Sequence, residues 1–257
     1  MNRGAVIFII ILMAAASVAW YFRDQIAGPN RIAPDESATK TTHTPQPEKY
    51  ALLKKQLATK RMTLAKSYQR AANQDAKEAV LVQARETLES HLLEMCHCWR
   101  GTPWDFNGTC ETPGSGKIAC GYFVSTILRD AGIQCQRVKL AQQASQNIIG
   151  TFVSRNKMHI RAGLSYDRFL EQVKARGPGW RIVGLDRHVG FLVIETNGHI
   201  RFIHSSPSTP SEVVDESKDD ADYLQNSNYR VTANITANKD FLVGWLRGKT
   251  WPTKTGN

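Results

Sequence analysis

Residues 188–195 and 199–204 are two strand-like apolar runs on either side of Thr196-Asn197-Gly198. Such runs around an Asn-Gly turn specify a β-hairpin. A hairpin constrains the chain strongly, because its turn sets the register of every pair that follows. Here the register decides the chemistry. A two-residue turn at Asn197-Gly198 pairs Thr196 with His199 and sends His188 and His204 to opposite faces. A three-residue loop with Gly198 left-handed pairs Glu195 with His199 and puts both histidines on one face as near diagonal neighbours. A single histidine on an apolar strand is ordinarily a packed residue, so the functional weight rests on the pair.

The second constraint is Ile118-Ala119-Cys120-Gly121-Tyr122-Phe123-Val124. The turn formers Gly101-Thr102-Pro103-Trp104-Asp105-Phe106-Asn107-Gly108 and Thr112-Pro113-Gly114-Ser115-Gly116 precede it and indicate a shaped loop. After it, Phe123, Val124, Ile127, Leu128 and Ala131 keep a helical apolar stripe that Gly132 ends. Cys120 therefore opens a helix, where the dipole favours a thiolate and a nearby imidazole lowers the thiol pKa further. Cys120, His188 and His204 follow the order nucleophile, base, orienter. The base must reach the thiol while a third group fixes its ring, and a neutral imidazole both accepts and donates.

The remaining organisation follows from composition. Residues 5–22 are almost unbroken apolar sequence behind Arg3, long enough for a signal peptide or a membrane anchor. Ser17-Val18-Ala19 suits cleavage; Trp20, Tyr21 and Phe22 suit a retained anchor, which is the favoured alternative. The expected segments are that element at 1–23, a flexible linker at 24–48, a basic helical stalk at 49–85, a catalytic domain at 86–250 and a tail at 251–257. The stalk begins with Leu53, Leu57, Leu64 and Tyr68 on one helical face beside Lys54, Lys55, Lys60, Arg61 and Lys66. Either it is a packing helix with a solvated face, or it lies on anionic lipid or an anionic envelope polymer. The net charge of +10 sits mainly there and no recognition motif accompanies it, so nucleic acid is not an expected partner. A second helix is expected at 74–95, with Leu81, Ala84, Leu88, Leu92 and Met95 as its stripe.

Further on, 137–150 reads as helix or loop, 165–176 as a short helix and 181–185 as a strand. The acidic stretch 212–222 lacks the pattern of a calcium loop and reads as a solvated insertion. Residues 229–235 and 241–246 read as closing strands, and the tail beyond Trp251 as loose. With five cysteines, a free Cys120 leaves Cys96, Cys98, Cys110 and Cys135 with three pairings, of which Cys96 with Cys98 is strained. Five reduced thiols remain the alternative. Cys120, His188 and His204 lack close ligand spacing, so neither metal nor cofactor is expected.

Residues 86–246 resemble the NlpC/p60 family of bacterial cell-wall peptidases, papain-like cysteine hydrolases. The resemblance rests on Gly101-Thr102-Pro103-Trp104, Ala119-Cys120-Gly121-Tyr122, His188-Val189-Gly190-Phe191 and Phe202-Ile203-His204-Ser205. It implies an α+β, papain-like fold with a central antiparallel sheet and the nucleophile at a helix N-terminus. It also implies amide hydrolysis in peptidoglycan stem peptides outside the cytoplasm, with Cys120 as nucleophile, His188 as base and His204 as its orienter. Trp104 and Gly121 are the implied substrate contacts. This chain departs from the family pattern in carrying Ala119 for Asp, Gly121 for Ser, Trp104 for Tyr and Asn107 for Gly. Another amide substrate, acyl transfer, and a catalytically silent wall-binding protein are the alternatives.

Overall fold

In the computed structural model, which describes residues 43–256, the helical periodicity of the first half becomes α1 (Pro47–Arg70) and α2 (Gln74–Trp99). Asn73 caps α2 by accepting the Ala76 N–H at 2.8 Å. The stripe Leu81, Ala84, Leu88, Leu92 and Met95 is buried, and α2 runs a turn further so that Trp99 is buried too. Helix α1 buries Tyr50, Leu57 and Tyr68; the Tyr50 hydroxyl donates to Asp130 at 2.9 Å and its ring meets Trp99 edge-on. The region 49–85 thus packs within the same compact unit as the rest of the described chain. Part of its basic face is used internally. Lys54 pairs with Asp130 at 3.0 Å and Arg61 donates to the Gly132 carbonyl at 2.8 Å, whereas Lys55, Lys60 and Lys66 stay exposed.

The chain continues through α3 (Cys120–Asp130), β1 (Gln134–Cys135), α4 (Arg137–Ala141), α5 (Ser145–Phe152), β2 (His159–Ala162) and α6 (Tyr166–Lys174). Then follow β3 (Gly179–Leu185), β4 (Val189–Ile194), β5 (Ile200–Ser205), β6 (Val213–Ser217), α7 (Asp222–Gln225), β7 (Tyr229–Asn234), α8 (Lys239–Leu246) and β8 (Thr250–Trp251). The fold is α+β. A six-stranded antiparallel sheet, ordered β2-β7-β3-β4-β5-β6, is its centre, and β1 with β8 forms a separate parallel pair.

Both faces of the sheet are covered, which is why β3 and β4 are buried at every residue. Ile182, Val189, Phe191, Val193, Ile203 and Val231 share a core with residues of α2, α3, α5 and α8. On the other face Val183, Leu185, Leu192, Ile194 and Phe202 pack with Phe169, Leu170 and Val173 of α6 and Leu224 of α7.

Several expectations are corrected. Residues 241–246 are helical, not a strand: Asn238 caps α8, and Phe241, Leu242, Trp245 and Leu246 fall on one buried helical face. The stretch 212–222 is not a solvated insertion, because 213–217 pairs with β5 as the edge strand β6. Strand β2 is an element the sequence pattern did not signal, and 137–150 resolves into α4 and α5. The tail is not loose at its start, since Trp251 is buried in β8 and the Lys254 N–H donates to Thr151 Oγ1 at 3.0 Å. All five cysteines are free thiols. The expected segment at 1–23 and most of the linker at 24–48 lie outside the described residues. Among the described helices none is long and apolar enough to cross a membrane.

Candidate active site

The β4–β5 hairpin closes with the three-residue loop. Gly198 sits at φ +85°, where only glycine is unstrained, and its N–H donates to the Glu195 carbonyl at 2.9 Å. The Glu195 N–H in turn donates to the His199 carbonyl at 2.9 Å, and Phe191 pairs with Ile203. One step further along that register, His204 lies across from Gly190. His188, just ahead of β4, is then its diagonal neighbour on the same face. The two rings meet at Nε2 of His188 and Nδ1 of His204, 2.6 Å apart. Gly190 makes this possible: a Cβ there would lie 2.9 Å from the His204 Cβ and 2.7 Å from the Phe202 ring. Phe202 stacks on His204 with centroids 4.1 Å apart, and Tyr223 lies 4.9 Å from the His188 ring.

Cys120 is the first residue of α3. The helix is anchored by Phe123, which meets Trp99 and Phe191 edge-on. Its first turn runs so close to the end of α4 that a Cβ on Gly121 would lie 2.4 Å from the Ala141 carbonyl oxygen. This contact, rather than any polar role, accounts for glycine at 121. The Ser205 hydroxyl donates to the Ile118 carbonyl at 2.7 Å. It thereby ties the residue after His204 to the loop that delivers Cys120.

Cys120, Gly121 and His188 line one cleft of about 450 Å³ together with Ser145, Gln146, Arg187, Val189 and Tyr229. Among the described residues no hydrogen bond joins the Cys120 sulfur to His188; the two side chains share the cleft. Trp104 does not line it: its backbone pairs with Ser211 and Ile118, so it braces the cysteine loop. Among the described residues His188 is hydrogen-bonded through Nε2 alone.

Burial favours the uncharged forms of Cys120, His188 and His204 alike. Burial pushes the Cys120 thiol above its ordinary pKa, although the backbone N–H groups of Val189, Gly121 and Cys120 itself oppose the rise. Burial holds His188 well below the ordinary imidazole value, and His204 acts against it too. His204, fully buried, is lowered to about 3 by burial. Uncharged imidazoles serve as hydrogen-bond relays and proton acceptors without a buried ion to stabilise.

The candidate site also contains a residue that the sequence pattern did not signal. Glu216 on β6 hydrogen-bonds His204 Nε2 through Oε2 at 2.9 Å, extending the pair into a chain Glu216–His204–His188. Its neighbour Asp215 points to the opposite face, where it accepts from Arg201 Nε at 3.0 Å and pairs with His97 Nε2 at 2.7 Å. The one nearby signal, Arg201 within an apolar strand, points to Asp215 and not to Glu216. Among the described residues no group of three or more His, Cys, Asp or Glu side chains is placed to hold a metal ion.

The fold and site together place a thiol at a helix N-terminus and one member of a buried histidine pair, His188, on the lining of one cleft of an antiparallel α+β scaffold. No protein-family model and no curated protein matches the chain, so these residues themselves carry the functional argument.

Proposed function

We propose that the protein is an envelope-located cysteine hydrolase of papain-like, NlpC/p60 type that cleaves amide bonds in peptidoglycan stem peptides. His188 Nδ1 takes the Cys120 proton as the sulfur attacks the carbonyl carbon. The N–H groups at the start of α3, where no side chain provides a cap, stabilise the oxyanion. His188 returns the proton to the leaving amine, and water then releases the acyl group from sulfur. His204 orients His188 throughout.

The observation that carries this is the 2.6 Å contact between His188 Nε2 and His204 Nδ1, beside a cleft that Cys120 also lines. Peptidoglycan as substrate rests on the resemblance of the four motifs. Arg187, exposed beside His188, adds a cation suited to an acidic peptide. Cys120→Ala and His188→Ala should each lower cleavage of defined muropeptides at least about 10³-fold while the thermal transition remains. Full cleavage by Cys120→Ala would end this assignment. A Cys120 inert to iodoacetamide at neutral pH would indicate a catalytically silent wall-binding protein instead.

A further inference from the structure

We infer that Glu216 is a positioning residue that sets the tautomers of both histidines, so that the site carries a usable base only while Glu216 is ionised. This rests on the assignment of His188 as the base. Proton counting along the chain gives the reason. A carboxylate only accepts, so His204 must donate from Nε2 to Oε2 of Glu216, across the 2.9 Å contact. The single proton of neutral His204 is then on Nε2, and its Nδ1 is a bare acceptor. His188 must therefore donate from Nε2 across the 2.6 Å contact. That leaves His188 Nδ1 unprotonated, the state a general base needs.

A neutral Glu216 removes the constraint. Its Oε2–H can donate to His204 Nε2, which places the His204 proton on Nδ1 and reverses the link to His188. The His188 proton then sits on Nδ1, where it blocks acceptance of the thiol proton. No net charge moves between the two histidines; only the direction of two hydrogen bonds changes.

The surroundings favour such a switch near neutrality. Glu216 is raised to about 7 by burial and by Asp222 of α7, Asp220 of the preceding loop and Asp215 of its own strand. From the other elements it faces His204 on β5 and the Tyr166 phenol of α6. Arg201, the cation of the adjacent strand, is committed to Asp215 on the opposite face.

The test uses the full chain and needs no substrate. Imidazole ¹⁵N shifts of His188 and His204 are followed from about pH 5.5 to about pH 9, and Cys120 alkylation by iodoacetamide is timed in wild type and Glu216→Gln. His188 should change from Nδ1-protonated to Nε2-protonated as pH rises, with a midpoint near 7. The ratio of wild-type to Glu216→Gln alkylation rates should rise about tenfold between about pH 6 and about pH 8, and Glu216→Asp should restore part of that rise. A His188 tautomer that stays fixed over this range in wild type overturns the inference, as does an unchanged rise with pH in Glu216→Gln. Failure of the hydrolase assignment is separable, because the tautomer change is read without muropeptide cleavage.

Discussion

Gly190→Ala probes the point where fold and site depend on the same atoms. The residue is buried and its backbone lies outside the positive-φ region, so the substitution acts through space alone. The new methyl would sit 2.7 Å from Phe202 Cε2, 2.9 Å from His204 Cβ and 3.1 Å from the Ile203 carbonyl oxygen. None of the three yields easily. Phe202 is fully buried, His204 is held at both ring nitrogens, and Ile203 is backbone within the sheet. Burying a methyl contributes about 0.8 kcal/mol and restricting the unfolded chain about 0.4–1 kcal/mol in the variant's favour. Overpacking a close-packed site nevertheless leaves a net cost of about 1–3 kcal/mol. For a domain of this length that lowers the transition by about 2–12 °C. The readouts are thermal unfolding and Cys120 alkylation, the second falling because a displaced His204 no longer orients His188. Unchanged stability together with an unchanged alkylation rate would refute the role given to Gly190.

Asp215→Asn should cost about 2–3 kcal/mol by urea unfolding, since it removes the charge from hydrogen bonds to Arg201 and His97 at a side chain 1% exposed. Burial raises the Asp215 pKa, but His97 and Arg201 outweigh it and hold the carboxyl below its usual range. A depressed folded-state pKa means that this contribution is complete above the ordinary carboxylate range and is lost as pH falls through the lowered value. Acid unfolding of Asp215→Asn should accordingly lack that component, and a wild-type acid limb identical to the variant's would contradict the assignment. Asn238→Ala removes the side chain that caps α8 at Asp240 and accepts from Lys157 at 2.8 Å. It should cost about 1 kcal/mol, read as a lower urea midpoint with the slope unchanged.

The hairpin was legible because its signals are local. Gly198 permits a left-handed turn, but the apolar runs fit the two-residue and the three-residue loop alike, and the pairing of Glu195 with His199 in the folded chain is what puts both histidines on a common face. Cys120 at a helix start was legible for a similar reason, from the stripe Phe123, Val124, Ile127, Leu128 against the turn formers before it. Residues 241–246 were misread because six apolar residues fit strand and buried helix equally; the deciding information lay outside the run, in Asn238 and Asp240. Glu216 was hidden by its company. Glu212, Asp215, Glu216, Asp219, Asp220 and Asp222 together look solvated, and only tertiary pairing with β5 sends Asp215 and Glu216 to opposite faces with separate partners.

That separation explains why the edge strand matters to the site. Phe202 pairs with Glu216 and His204 with Val214, so Glu216 stands diagonal to His204, as His204 stands diagonal to His188. The chain of three residues therefore steps across three successive segments of one sheet, and each step depends on register alone. A slip of one residue between β5 and β6 would exchange the positions of Asp215 and Glu216. The Glu216 carboxylate would then face α2, and Asp215, the partner of Arg201, would take its place beside His204. Arg201, Asp215 and His97 on the face packed against α2 thus lock the register that keeps Glu216 on His204. The same strand that forms the sheet's edge also supplies Glu216, the third member of the hydrogen-bonded chain.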